Sequence, residues 1–309
     1  MTNTAELPAL DDAQPPPAVA FRRVEAVVNE ASGSVGAGAA RELEAIVAEF
    51  GLELRVHAAQ PASIEQAVRE AVAAKPDLIL ILAGDGTARL AAALCGADGP
   101  VVAPLPGGTM NMLPKAIYGD RNWQDALRCA LNGGVVRMVS GGEVSGRTFY
   151  VAAILGAPAL WAEAREAVRQ GHPIAALRRS FRAARRAFSG GVRYSLDGRP
   201  KERAEALTLM CPLISTAMEE ETALEAAALD VNGAMDAFRL AFNALSGDWR
   251  RDPSVHVHPC RKGRATTRGS MPAILDGEPI RLRSPVDIRF IPKAFRALEP
   301  AKDVGEPRV

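Results

Sequence analysis

The chain has 309 residues, 48% of them hydrophobic, enough for one large domain or two ordinary ones with sizeable cores. Its 37 basic and 36 acidic residues leave a net charge of +1; no global field draws it to nucleic acid, and no nucleic-acid partner is expected. The four cysteines, Cys95, Cys129, Cys211 and Cys260, are scattered without a CxxC pair, which suits free thiols in a reducing compartment.

Residues 1–20 are acidic and proline-rich, with neither a basic start nor an apolar run. They read as a disordered tail rather than a secretory signal. No run of about 18 apolar residues occurs, so a cytoplasmic protein without a transmembrane helix is expected. A β-prone run at 22–28 ends in the loop "NEASGSVGAG". The segment 39–50 has apolar residues at Leu43, Ile46, Val47 and Phe50, the spacing of a helix. "LELRVH" alternates as a strand, and a second helix follows between Pro61 and Pro76. "DLILILAG" is continuously apolar, as strands buried on both faces of a parallel sheet are. "TARLAAALC" reads as a helix, "PVVAPLP" as a strand and "WQDALRCALN" as a helix. Strands alternating with helices imply right-handed βαβ units and a parallel sheet over residues 21–133.

From Val135 the texture changes to short β-like runs separated by Gly and Pro: "VVRMVSGGEVSGRTFYVAAILG", "VRYSLDG", "EALTLMCPL", "SVHVHPC", "RATTRG", "PAILDG", "EPIRLRS" and "VDIRFIP". Such a series predicts an antiparallel sandwich over 134–296, followed by a tail over 297–309. Helical stretches are expected at 161–190 and 234–247. Edge strands of a sandwich can pair between two copies, so a homodimer is one expected assembly.

Three glycine-containing loops stand at the carboxyl ends of strands of the first domain: "NEASGSVG", "AGDGT" and "PLPGGTMN". Ligands of open α/β sheets bind outside those strand ends. Glycine lets backbone amides approach phosphate oxygens, and helix N-termini favour anions. One such loop alone is often only a tight turn; three on one sheet edge point to an anion site. GxxxxGK(S/T) is absent, which excludes a P-loop, and GxGxxG does not follow the first strand. Asp85 inside "GDGT" would repel phosphate unless a metal or a proton-transfer role justifies it. "LDGEP" places Asp276 and Glu278 at a turn between β-runs. By itself such a turn is an ordinary hairpin.

Strand-"GDGT" followed by "PLPGGTMN", with an Asn-x-x-Ser-Gly loop upstream and "LDGEP" near the C-terminus, resembles the diacylglycerol kinase catalytic-domain family. The resemblance runs from about Val24 to about Pro292. It implies a Rossmann-like α/β domain of the kind shared with NAD kinases and phosphofructokinases, then a C-terminal antiparallel β-sandwich. It also implies ATP in the cleft, Mg2+ assisting, and transfer of the γ-phosphate to a lipid hydroxyl. On that resemblance Asn29, Ser32 and Gly33 form the first nucleotide loop. Gly84, Asp85, Gly86 and Thr87 form the turn against the phosphates, with Asp85 at the phosphate-metal site. Gly108, Thr109 and Asn111 form the third loop. Asp276 and Glu278 reach back into the cleft, Asp276 as general base. This chain departs from the family pattern at Ala83, where a glycine is usual, and at Arg89-Leu90, where Asn-Glu is frequent. An NAD kinase, which shares "GDGT", and a non-catalytic nucleotide- or lipid-binding protein are the rival readings.

Residues 174–188 carry Ile174, Leu177, Phe181, Ala184 and Phe188 on one helical stripe and five arginines opposite. That pattern fits either a domain helix with a solvated basic face or peripheral contact with an anionic membrane, where a lipid acceptor resides. His256, His258 and Cys260 fall on one face of a strand at a zinc-compatible spacing, but no fourth ligand accompanies them. "MEEET", with Glu219, Glu220 and Glu221, reads as a solvated loop.

Overall fold

The computed structural model describes residues 21–156, 159, 191–215, 222–229 and 255–301. The basic segment 174–188, the acidic loop at 219–221 and the expected helix at 234–247 lie outside them.

Four strands, β1 (Arg23–Val28), β2 (Glu53–Ala58), β3 (Leu78–Ala83) and β4 (Val101–Pro106), pair in parallel in the order β2-β1-β3-β4. Five helices connect or flank them: α1 (Ala39–Ala48), α2 (Ile64–Ala73), α3 (Asp85–Cys95), α4 (Met112–Tyr118) and α5 (Trp123–Leu131). Every residue of β3 is buried. Its alternate side chains enter two different cores, because side chains on a strand point to opposite faces. Leu78, Leu80 and Leu82 pack with Leu43, Ile46 and Val47 of α1 and Leu127 of α5. Ile79, Ile81 and Ala83 pack with Val68 and Ala71 of α2 and Ala88 and Ala92 of α3. Trp123 joins the first of these cores. The continuous aliphatic run is thus the signature of a strand covered by helices on both sides.

The second half adds β5 (Val135–Val144), β6 (Arg147–Phe149), β7 (Ala152–Gly156), β8 (Val192–Leu196), β9 (Glu202–Ala204), β10 (Ala206–Met210), β11 (Leu224–Leu229), β12 (Val255–Cys260), β13 (Lys262–Thr266), β14 (Ser270–Leu275), β15 (Glu278–Arg283) and β16 (Val286–Glu299). Six of them form an antiparallel sheet, β12-β11-β10-β7-β14-β15. The others continue the parallel sheet, giving ten strands in all. Leu155, Leu207, Leu209, Leu224, Met271, Ile288 and Phe290 belong to one core that strands of both sheets supply. The fold is therefore an α/β layer followed by antiparallel β structure, as expected.

Three features depart from the sequence reading. First, the boundary at 296 falls inside a strand, because β16 runs to Glu299. Pro292 reads as a strand end, yet it sits at a bulge where the pairing with β5 shifts register between Ile291 and Phe295. Beyond the bulge the strand continues beside β4, with Ala297 opposite Val102 in parallel. The two halves consequently share one sheet. Second, "LEAAAL" is strand β11, although Leu, Glu and Ala are helix formers; pairing with β10 and β12 on either side overrides that preference. Third, α4 carries Pro114 in its first turn, where a missing N–H costs nothing.

Phe295 is fully buried, and its ring meets that of Tyr150 edge-on with centroids 4.8 Å apart. Because it anchors the returning strand, Phe295→Ala is expected to destabilise the fold by about 3–5 kcal/mol. Urea denaturation of the two proteins measures the difference.

Candidate active site

The three glycine loops converge at the carboxyl ends of β1, β3 and β4. The chain leaves β3 at Gly84, an extended residue that caps α3; the amides of Thr87 and Ala88 donate to the Gly84 carbonyl at 3.0 and 3.2 Å. "GDGT" is thus the first turn of a helix rather than a separate loop. The amides of Asp85 and Gly86 lack partners within the helix and point out of its N-terminal end, where an anion gains from them. Ala83 is the last residue of β3, 2% exposed and paired in register with Pro106. Its methyl packs in the core beneath the turn, so this strand position does not call for glycine.

The glycines are needed where backbones touch. A Cβ on Gly108 would lie 2.9 Å from the Gly84 Cα, and one on Gly107 would lie 2.7 Å from the Ala83 nitrogen. Both contacts are too close for a real side-chain carbon, so loops two and three can pack only without side chains there. The first loop joins them. A Cβ on Gly33 would come within 3.0 Å of the Thr109 hydroxyl, and one on Gly84 within 3.6 Å of the Ser32 hydroxyl. Ser34 donates its amide to the Gly107 carbonyl at 3.3 Å and its hydroxyl to the Pro106 and Gly108 carbonyls at 3.3 and 3.2 Å. Asn29 closes its own turn by accepting the Ala31 amide at 3.1 Å. Asn111, in the left-handed region with φ 51°, accepts the Gly108 amide on its side-chain oxygen at 2.6 Å. Its carbonyl accepts the Lys115 amide at 2.8 Å, which starts α4.

Asp276 and Gly277 have φ of 46° and 85° and form a two-residue turn between β14 and β15, with Leu275 opposite Glu278. The turn seats on the third glycine loop: a Cβ on Gly277 would lie 3.3 Å from Met112 and 3.5 Å from Met110. Asp276 is 1% exposed. Its Oδ2 accepts the Tyr150 amide at 2.9 Å, and its Oδ1 accepts the amides of Val151 and Ala152 at 2.9 and 3.0 Å. Of the roughly four lone-pair sites of a carboxylate, one on Oδ2 is left for a further donor. Burial raises its pKa, while the three amides and the nearby Arg89 guanidinium oppose that rise. Glu278 reaches the turn that opens α3; a Cβ on Gly86 would collide with its carboxylate. Its Oε2 pairs with Arg89 Nη2 at 2.6 Å.

Asp85 does not point at the outward amides. It is 8% exposed, and its Oδ1 accepts the Leu113 amide at the start of α4 at 3.3 Å. Desolvation raises its pKa to about 6; the Leu113 amide opposes that rise, and the charge of Asp276 adds to it. The twelve residues expected from sequence therefore lie around one cluster. Sequence reasoning missed the amides of Tyr150, Val151 and Ala152, which no side-chain pattern announces. It also missed the partner role of Arg89, visible only as a departure from the family pattern.

Other candidates fall away from this cluster. Cys260 is buried in the core of the second half, where burial pushes its thiol up to about 12. Among the described residues no group of three or more His, Cys, Asp or Glu side chains converges as a metal cage. A cavity of about 560 Å³, lined in part by Lys75, Asp77, Val101 and Arg296, opens at the amino ends of β3 and β4, the opposite edge of the sheet.

A carboxyl whose folded pKa lies above its unfolded value binds its proton more tightly in the native state. Stability is then greatest below the unfolded pKa of 3.8 and falls as pH rises towards about 6. The shift corresponds to a penalty of about 3 kcal/mol at neutral pH. Asp85→Asn, which keeps an acceptor for the Leu113 amide, is expected to lack that decline. Urea midpoints of both proteins between pH 4 and pH 7 test it.

Residues 23–142 match the family model described as "Diacylglycerol kinase catalytic domain". No curated protein sequence matches the chain. Three solved structures of Bacillus anthracis str. Sterne proteins described as diacylglycerol kinases, two of them provisionally, share its fold. They have TM-scores of 0.66, 0.68 and 0.66 at 16%, 18% and 17% identity, each alignment covering 91% of this chain and 98% of the other. No helix among the described residues is long and apolar enough to cross a membrane. The glycine loops, the fold and this match agree: over residues 23–142 the chain is similar to the diacylglycerol kinase catalytic domain.

Proposed function

We propose that the protein is an ATP-dependent lipid kinase that transfers the γ-phosphate to a hydroxyl of diacylglycerol or a related glycerolipid or sphingoid lipid. The observation that carries this reading is the seating of the Asp276–Gly277 turn on the third glycine loop, with Glu278 against Gly86. It sets carboxylates of the second domain beside the anion-binding turns of the first.

The amides of Asp85 and Gly86 at the start of α3, with those of Gly33 and Thr109 in the neighbouring loops, would bind the phosphates. Phosphoryl transfer demands little of a protein beyond positioning, charge neutralisation and a base. The acceptor hydroxyl would give its proton to Oδ2 of Asp276 as its oxygen bonds to the γ-phosphorus. The bond from that phosphorus to the bridging oxygen breaks, and ADP leaves with the electron pair. Because Asp276 is buried, the acceptor hydroxyl must enter a water-poor place, which favours transfer to a lipid over hydrolysis. Mg2+ would neutralise charge on the phosphates.

Purified protein incubated with labelled ATP and Mg2+, with mixed lipid micelles and NAD offered in parallel, tests the reading. Label is expected in the lipid. Label on NAD would replace it with an NAD kinase, and nucleotide binding without transfer would make the protein a non-catalytic member of the fold. Asp276→Asn is expected to lower kcat by about 10²–10⁴-fold; full activity in that variant would remove the base assignment.

Contact with an anionic membrane through the basic segment 174–188 belongs to the same proposal, since the acceptor stays in the bilayer. Replacing Arg178, Arg182 and Arg186 with glutamate is expected to weaken co-sedimentation with phosphatidylserine vesicles. Unchanged co-sedimentation would place the contact elsewhere.

A further inference from the structure

We propose that Arg89 is a positioning residue of this site: its guanidinium clasps both flanks of the Asp276–Gly277 turn and so sets the acidic turn of the second domain over the phosphate turn that opens α3. The inference rests on the kinase reading above.

Arg89 lies one helical turn beyond Asp85 on α3, directly after the phosphate turn. Its Nη1 donates to the Leu275 carbonyl at 3.2 Å, and its Nη2 pairs with Glu278 at 2.6 Å. Leu275 and Glu278 are register partners, the two residues that enclose the turn. One rigid fork therefore holds the strand before the turn and the strand after it. A planar guanidinium reaches two acceptors in a fixed geometry, which a single ammonium does not reproduce. The Arg89 side chain is only 20% exposed and that of Glu278 43%, so the pair is drawn partly out of water. Its geometry is also constrained from below, because the Glu278 carboxylate rests against the Cα of Gly86.

The turn is thus gripped from two directions. The amides of Tyr150, Val151 and Ala152 fix the Asp276 carboxylate, and α3, through Arg89, holds the Leu275 carbonyl on one side and the Glu278 side chain on the other. Those grips have different origins. The amides belong to the second domain, whereas Arg89 belongs to the helix whose first turn faces the phosphates. Arg89 ties the strands that flank Asp276 to the helix that opens at Asp85 by a direct side-chain bridge. It touches no reacting atom and acts through Asp276 and Glu278.

A misplacement of about 1 Å at a reacting group can cost on the order of 100-fold in rate. Arg89→Gln is accordingly expected to lower kcat by about 10- to 100-fold while the KM for ATP stays within about twofold. Arg89→Lys keeps the charge without the fork and is expected to recover only part of the loss. Steady-state kinetics with labelled ATP and mixed diacylglycerol micelles measure this for the wild type and both variants. Amide hydrogen exchange over residues 273–280 is followed in parallel, with and without nucleotide. Faster exchange confined to that turn in Arg89→Gln, partly restored in Arg89→Lys, together with the kcat effect, supports the clasp. Unchanged exchange at the turn, kcat within twofold of wild type, or a loss spread over the whole molecule with a raised KM overturns it. If the wild type transfers no phosphate to lipid, the kinase reading fails by itself, and the exchange experiment still decides whether Arg89 holds the turn.

Discussion

The site depends on two pieces of backbone lying against each other with nothing between them. At the ends of β3 and β4, Gly107 and Gly108 approach Ala83 and Gly84 more closely than any side-chain carbon permits. That contact brings two helix starts, those of α3 and α4, to one place, and it lets the first loop latch on through Ser34. Had either glycine been any other residue, the loops would stand apart and their amides would no longer address a single ligand. The rest of the first domain can be understood as the support for that contact. A strand buried on both faces delivers Ala83, helices cover it from each side, and Asn111 in a left-handed conformation turns the chain into α4.

The carboxylates answer to a different constraint. Asp276 is buried almost completely, and such a group persists only when its lone pairs are engaged. Three backbone amides supply that engagement and fix the orientation of the side chain. Asp85 is buried with fewer donors and sits near Asp276, so its neutral form is favoured up to near-neutral pH. Two acids with environments this different are suited to different work: one held rigidly by backbone amides, the other buttressing the start of α4. The stability given up at Asp85 is the kind of local cost that proteins sustain at functional sites.

Much of this was legible in the sequence, and the reason is physical. The run Leu78–Ala83 could only be a strand covered on both faces, and glycine pairs after two such strands leave few meanings. The twelve residues singled out do gather around one cluster. What could not be read are interactions carried by backbone. The amides that hold Asp276 come from Tyr150, Val151 and Ala152, whose side chains say nothing of that duty. Pro292 looked like the end of a strand because proline interrupts a ladder, whereas the chain accommodates it in a bulge and resumes pairing. Strand β11 was hidden by its alanines, which acquire extended form only from neighbours on both edges. Arg89 was visible as an anomaly, but its meaning required the turn at Asp276 to be brought to it across the fold.

The returning strand has a consequence for how the protein comes into being. Arg296 reaches the Gly99 carbonyl at 3.1 Å across 197 residues of sequence, and the strand that carries it also completes the sheet begun by β1. During synthesis the parallel strands emerge first, yet the strand that closes their exposed edge follows every other described strand. Until it arrives, the flank of β4 presents unpaired hydrogen-bonding groups, a template for unwanted pairing. Closing so long a loop also slows folding, because its entropy must be lost before the contact repays it. A ribosome-bound chain of this protein is therefore expected to pass through a stage in which the parallel-sheet half is assembled but open-edged, the stage at which chaperones would matter most.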